Sequence, residues 1–279
     1  MTLSRVYTRG RTKKAGVRRR SAEEESLTAA GRAGFAARGV VYVLIGALAL
    51  RIALGGSGEQ ADRQGALAQV AEQPFGEVML WALAVGFGCM ALWRGSRAVG
   101  RRGPRRKAAS RALDGGRAVF YAFVCWATAV YAAGGGQGSS GDAKSQDWTA
   151  SALELPYGRH LVGAAGCVLT GVGVVLAVRA MMRRFLRQLD LGSLKGRTRQ
   201  VVTALGVTGG VARGAVFAAA GVFILTAAVQ ADSDEAKGVD ATLRSFSHTP
   251  VGPWLLAAVA AGLVLFGVFS FASARWRRL

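Results

Sequence analysis

The sequence predicts an all-α, polytopic membrane helical bundle: six transmembrane helices arranged as three parallel hairpin repeats, with both termini cytoplasmic. Three observations predict it. The 279-residue chain is 51% hydrophobic and only 19% charged, well under the roughly 25% charged share of an ordinary soluble domain. Against that apolar background, 36 Lys and Arg outnumber 16 Asp and Glu for a formal charge of +20. The hydrophobic runs come in three similar pairs, with most basic residues on one side of them. A disordered chain is excluded by the abundance of aliphatic residues, and a disulfide scaffold by the presence of only three cysteines.

The spans follow from length. Apolar runs recur at Gly39–Leu54, Phe75–Trp93, Ala118–Ala133, Leu161–Val178, Ala215–Val229 and Trp254–Ala272. A helix needs about 20 residues, rising about 1.5 Å each, to cross a ~30 Å hydrocarbon core. The second, fourth and sixth runs approach that length unaided. The other three reach it by including Arg38, Arg117 or Arg213 near one end.

Orientation follows from charge. Thirty of the 36 basic residues lie on one side: ten through Arg38, nine in Arg94–Arg117, eight in Arg179–Arg213 and three after Ala274. Only Arg51, Arg63, Lys144, Arg159, Lys237 and Arg244 lie on the other, together with eleven of the sixteen acids. One face is therefore near +25 and the other near −5. The positive-inside rule places both termini in the cytoplasm. Localisation is expected in the bacterial cytoplasmic (plasma) membrane, as a multi-pass protein.

Residues 1–30 form a basic arm, expected to be disordered up to Arg20. A capping box of Ser21 and Glu24 would start a helix leading into the first span. The arm is polar, so the first hydrophobic helix is expected to act as its own insertion signal. Its basic residues suit anionic lipid headgroups at the cytoplasmic face. No nucleic acid is expected, because the arm offers only Tyr7 as a stacking ring and no reading motif.

Residues 31–107, 108–200 and 201–279 are the three hairpin repeats. Their first helices read Arg38-Gly-Val-Val-Tyr42, Arg117-Ala-Val-Phe-Tyr121 and Arg213-Gly-Ala-Val-Phe217. Their second helices open at Pro74-Phe-Gly76, Pro156-Tyr-Gly158 and Pro250-Val-Gly252. From arginine to proline the separations are 36, 39 and 37 residues, the mark of tandem repetition. Each proline is expected in the first turn of its helix, where a missing N–H costs nothing, with the nearby glycine allowing close approach to a neighbour. Short amphipathic segments are expected before the prolines at Ala66–Gln73 and Thr242–Ser247. Small-residue stripes at Gly206/Gly210/Gly214/Ala218 and Gly163/Cys167/Gly171 read as helix-packing faces.

This arrangement resembles a bacterial membrane family, domain-of-unknown-function family 1206. The resemblance rests on the Arg38–Tyr42 run, its counterparts at Arg117 and Arg213, and the three proline–glycine openings, and covers about Gly31 to Arg278. The second copy departs from the pattern, with Ala118 where the others have Gly39 and Gly214. The resemblance implies six helices in three hairpins, with no assigned reaction.

Candidate chemistry is sparse. Arg38, Arg117 and Arg213 hold one equivalent position in three copies. If the hairpins surround a pseudo-three-fold axis, they converge as a candidate anion- or lipid-binding ring of guanidiniums; otherwise each snorkels to lipid phosphate. Asp114 is placed to pair locally with Arg117. None of the acids lies mid-span, which disfavours a proton-coupled pump. Cys89, Cys125 and Cys167 read as buried filler. His160 and His248 lack partners at ligand spacing, so no metal site and no cofactor is expected. Trp93, Trp148, Trp254 and Trp276 read as interface anchors, and Trp81 and Trp126 as packing residues. The expected function is a non-enzymatic membrane module interacting with lipid or with a protein partner. The alternative is a channel or carrier for a small anion or lipid headgroup, using the arginine ring.

Overall fold

In the computed structural model the described residues are 4–54, 61–99, 108–135, 141–190, 192, 196–230, 241–242 and 252–277, with the side chains of the first helix described from Glu25 onward. The described helices are α1 (Ser4–Ala53), α2 (Arg63–Ala71), α3 (Gly76–Ala98), α4 (Ala108–Val130), α5 (Gly141–Leu153), α6 (Gly158–Met181), α7 (Gly196–Gln230) and α8 (Gly252–Trp276). All but α2 and α5 are long and apolar enough to cross a membrane, six spans in all. α1 is helical from Ser4, so the arm expected to be disordered runs straight into the first span, and Ser21 lies inside the helix instead of capping it. Its Arg, Lys, Ala and Glu residues are good helix formers, which explains the extension.

The turns before α3 and α6 are copies of one another. Phe75 and Tyr157 adopt left-handed φ values of 63° and 66°. In each turn the following glycine N–H donates to the carbonyl three residues back, Gly76 to Gln73 and Gly158 to Leu155, both at 2.8 Å. The prolines therefore sit in this turn, two residues ahead of the helix, and not in its first turn as the sequence suggested. The neighbour that the glycines approach is the end of the preceding short helix. A methyl group on Gly76 would strike the Ala71 carbonyl, and one on Gly158 the Ala152 carbonyl. α2 occupies the expected amphipathic segment, capped by Asp62, whose carboxylate accepts from the Gly65 N–H at 2.8 Å. In the third repeat Pro250 and Val251 lie outside the described residues, as does the expected amphipathic segment beyond Thr242.

The six long helices pack in the order α4, α3, α1, α8, α7, α6. The most extensive contacts join the second helix of one repeat to the first helix of another: α3 with α4, α6 with α7, and α8 with α1. α1 also packs on α3, and α7 on α8, as hairpins should. α4 and α6 make at most a marginal contact. The expected middle hairpin is thus open.

The reason is steric and can be read by aligning the repeats. In the first hairpin a methyl group on Gly34 would come within 2.5 Å of Met90, and one on Gly86 within 2.7 Å of Ala37. The equivalent glycines of the third hairpin, Gly209 and Gly262, lie equally hard against Phe266 and Ala212. Four residues before each repeat arginine stand Gly34, Leu113 and Gly209; twelve after each repeat proline stand Gly86, Val168 and Gly262. The middle copy has branched side chains at both crossing positions. Both remain exposed. In lipid, close backbone approach is the main source of helix association, so the middle pair loses its reason to meet.

The seams between repeats vary in the same way. Gly39 opposes the Gly267 carbonyl on α8, and Gly214 opposes the Gly173 carbonyl on α6. The third seam has Ala118 and Ala91 at these positions, and both line a cleft of about 810 Å³ with Ser26, Leu27, Gly95 and Ala122. The departure noted at Ala118 is therefore where packing loosens. Of the two expected small-residue stripes, Gly210 and Gly214 do face α6. Of Gly163/Cys167/Gly171 only Gly163 meets α7, a methyl on it lying 3.7 Å from Ala228; Cys167 is exposed and nothing lies within 4 Å of a methyl on Gly171. The face in contact is Gly166, Thr170 and Gly173, offset from that stripe.

Candidate functional site

The ends of the spans nearest Arg38 gather arginines against aromatic rings. On α1, Arg38 donates from Nε to the Ser270 hydroxyl of α8 at 3.2 Å. That hydroxyl is oriented by its own donation to the Phe266 carbonyl at 2.9 Å, which leaves a lone pair for the guanidinium. The Arg38 guanidinium carbon stands 4.8 Å from the Phe35 ring centre and 5.1 Å from that of Phe266. Arg213, on α7, sits against three rings: Phe266 at 5.0 Å, Phe217 at 5.3 Å and Tyr42 at 5.4 Å. Tyr42 and Phe266 meet edge to face at 4.8 Å. Each such cation–ring contact contributes roughly 0.5–2 kcal/mol, rising as water is excluded.

Arg277 completes this group from the end of α8, 4.6 Å from the opposite partner of Arg38, the Phe35 ring. A short bridge holds it there. Leu189 and Arg277 pair antiparallel, the Asp190 N–H donates to the Trp276 carbonyl at 2.8 Å, and the Arg277 guanidinium donates to the Gln188 side-chain carbonyl. Burial, and then the like charges of Arg38, Arg94, Arg97 and Arg117, push the Arg277 guanidinium down to about 9, so it stays a cation at neutral pH. Its neighbours are arginines.

A second group surrounds Asp114 on α4. Its carboxylate binds Arg94 at 2.9 Å, Arg97 at 3.6 Å and Arg117 at 3.8 Å. Arg94 and Arg97 also flank the Trp93 ring, at 4.7 and 4.8 Å. Trp93 is only 3% exposed and packs edge to face on Phe35 at 5.7 Å. It therefore links the two groups and is no lipid-facing anchor. Trp81 and Trp126 reverse expectation in the other direction, being exposed.

The structure thus brings Arg38 and Arg213 onto one ring, Phe266, and engages Arg117 with Asp114, while Arg277 stays within charge range of both Arg38 and Arg117. Tyr121 of α4 is buried and lies within electrostatic range of both Arg38 and Arg213. Tyr42 and Phe217 floor the Arg213 position. Pro74, Gly76, Pro156 and Gly158 serve the far-end turns instead. Among the described residues, no carboxylate pairs with Arg38, Arg213 or Arg277. The Nε atoms of Arg94 and Arg213 are buried without an acceptor. A buried charged donor left unpaired costs upwards of 1–3 kcal/mol, so the Arg213 site has positive potential to spare.

Sequence reasoning missed Arg94, Ser270 and Arg277. A signal for the first two was present. Twenty residues after the repeat prolines stand Arg94, Leu176 and Ser270, and two of these three contact the arginine group of a neighbouring repeat. Arg277 carries no such signal, because a bridge between distant segments positions it. Among the described residues no cluster of metal-ligating side chains occurs.

Comparison with known proteins agrees with the triplication. A family model described as Domain of Unknown Function (DUF1206) matches three times, at residues 33–101, 115–183 and 208–277, together well over half of the chain. The uncharacterized protein YxxB of Bacillus subtilis (strain 168) is 28% identical over 244 residues, covering 86% of this chain and 87% of its own. No solved structure matches.

Proposed function

Since the chain belongs to the family described as Domain of Unknown Function (DUF1206), carrying its repeat three times, we propose that it is a non-enzymatic integral-membrane module of the bacterial cytoplasmic membrane. Its termini lie in the cytoplasm, and its Arg38–Arg213–Arg277 group holds a phosphate-type anion at headgroup depth. The charge asymmetry of the loops supports the orientation. One observation carries the binding reading. Arg213 is wedged among three aromatic rings, its Nε buried without an acceptor and, among the described residues, no carboxylate paired to it. Guanidinium forks match phosphate oxygens by paired N–H donation. Arg117 is already engaged with Asp114 and is left out of this group.

Glycerol phosphate added to the detergent-purified protein should raise its melting temperature, because a ligand that binds only the folded state stabilises it. The paired variant Arg38→Gln, Arg213→Gln should lose that response. An equal rise in both proteins would reject the reading. Orientation is checked separately. Cysteines introduced at Gly138 and Ser57 should react with an impermeant reagent from outside the cell, and one at Gly103 only after permeabilisation. The reverse pattern would invert the topology.

A further inference from the structure

The open middle repeat has a consequence for what can reach the arginines. The face of α6 that would meet α4 carries Val168, Val172 and Val175, matching in register the α8 residues Gly262, Phe266 and Phe269, and all three valines are exposed. The facing positions on α4 are Leu113 and Gly116, matching Gly209 and Ala212 of α7; both are exposed, and nothing lies within 4 Å of a methyl group built on Gly116. Behind this apolar gap stand Tyr121 of α4 and Arg213 of α7, within electrostatic range of each other and of Arg38. An apolar gap flanked by the Arg38 and Arg213 guanidiniums, neither of which pairs with a carboxylate among the described residues, has the chemistry of one kind of molecule, with acyl chains at one end and an anionic phosphate at the other.

We propose that the gap between α4 and α6 is a lateral portal through which an anionic phospholipid reaches the arginine group, its phosphate held by Arg213 and Arg38 and its acyl chains lying between the two helices. This rests on the phosphate-holding reading above and adds the source of the phosphate. The first and third repeats close the equivalent path with glycine crossings. The middle repeat alone departs from glycine at both positions, and it does so with apolar side chains that suit an acyl chain.

The test reconstitutes the full chain in mixed phosphatidylglycerol–phosphatidylcholine vesicles, re-extracts it in mild detergent and quantifies the retained lipid by mass spectrometry. Gly116→Trp and Val172→Trp each fill the gap where space exists, and Arg213→Gln removes the anchor. Melting temperature with and without glycerol phosphate, a soluble headgroup mimic, is read for every variant and also reports folding. Wild type should retain phosphatidylglycerol over phosphatidylcholine. Each Trp variant should lower that retention about tenfold, equivalent to ~1.4 kcal/mol, while still responding to glycerol phosphate. Arg213→Gln should lose both responses.

Trp variants that retain phosphatidylglycerol like wild type would overturn the portal and leave the phosphate site standing. Loss of the glycerol phosphate response in a folded Trp variant would place the obstruction at the arginines themselves and also overturn it. A response to glycerol phosphate with no lipid retained by wild type would assign the site to free phosphate. Absence of any response in wild type would sink the phosphate reading itself.

Discussion

The middle repeat and the two that flank it share one sequence signature and differ in packing. In the first and third repeats, glycines at matched positions let paired helices approach to backbone distance, Gly34 against Met90 and Gly209 against Phe266. In the middle repeat Leu113 and Val168 stand at the crossing, and the helices stay apart. α4 consequently depends on α3 for its place in the bundle. There the seam is of alanines, Ala118 and Ala91, supplemented by the buried ion pair between Asp114 and Arg94. The difference teaches that a repeat can keep its arginine, aromatic and proline marks while two side chains decide whether its hairpin closes. Where water supplies no hydrophobic force between helices, fit at the crossing decides association.

Removing the clamp that the middle repeat relies on should have the largest effect. Asp114→Asn leaves Arg94, whose side chain is 9% exposed, as a buried charge without its counterion, a change that costs about 3–5 kcal/mol. Thermal unfolding in detergent should fall accordingly, far more than for an exposed acid such as Glu154→Gln. Equal shifts would show that the ion pair does not hold α4.

Converting an outer repeat into a middle one comes next. Gly209→Leu should cost about 1–3 kcal/mol through overpacking against the Phe266 backbone. Spin-label distances between the ends of α7 and α8 should lengthen. An unchanged distance would show that this glycine does not set the crossing.

The converse change should be the mildest. Leu113→Gly with Val168→Gly removes the two obstacles at a helix-propensity cost of about 1 kcal/mol each or less. Labels at Ala109 and Met182 should then draw closer than in the wild type, with little loss of melting temperature. Helices that remain apart would mean that something other than these side chains holds the middle hairpin open.

Much of the architecture was legible beforehand. The six spans and the triplication follow from hydrophobic run length and from the arginine-to-proline spacing, because both are local properties of the chain. The departure at Ala118 was visible too, although its meaning needed Ala91 opposite it. The openness of the middle pair could have been read by comparing Gly34 and Gly209 with Leu113, but only once those glycines were known to lie at a crossing. Arg38 and Arg213 share Phe266, whereas Arg117 is drawn to Asp114 one helical turn away. Local pairing outcompeted convergence there, since an ion pair at i,i+3 needs no tertiary arrangement to form. The lipid-facing reading of Trp93 failed because α3 runs on past it, and Arg94 and Arg97 cover the ring.

By itself the sequence determined how many times the chain becomes an apolar helix, where each begins to repeat the last, and which loops carry the cations. These depend on composition and period, which neighbouring residues alone supply. The tertiary structure decided which seam stays open and which guanidiniums share a ring, with Arg277 brought to Phe35 by a bridge to Leu189. Those outcomes depend on the fit of surfaces far apart in the chain, where one methyl group more or less determines whether two backbones can meet.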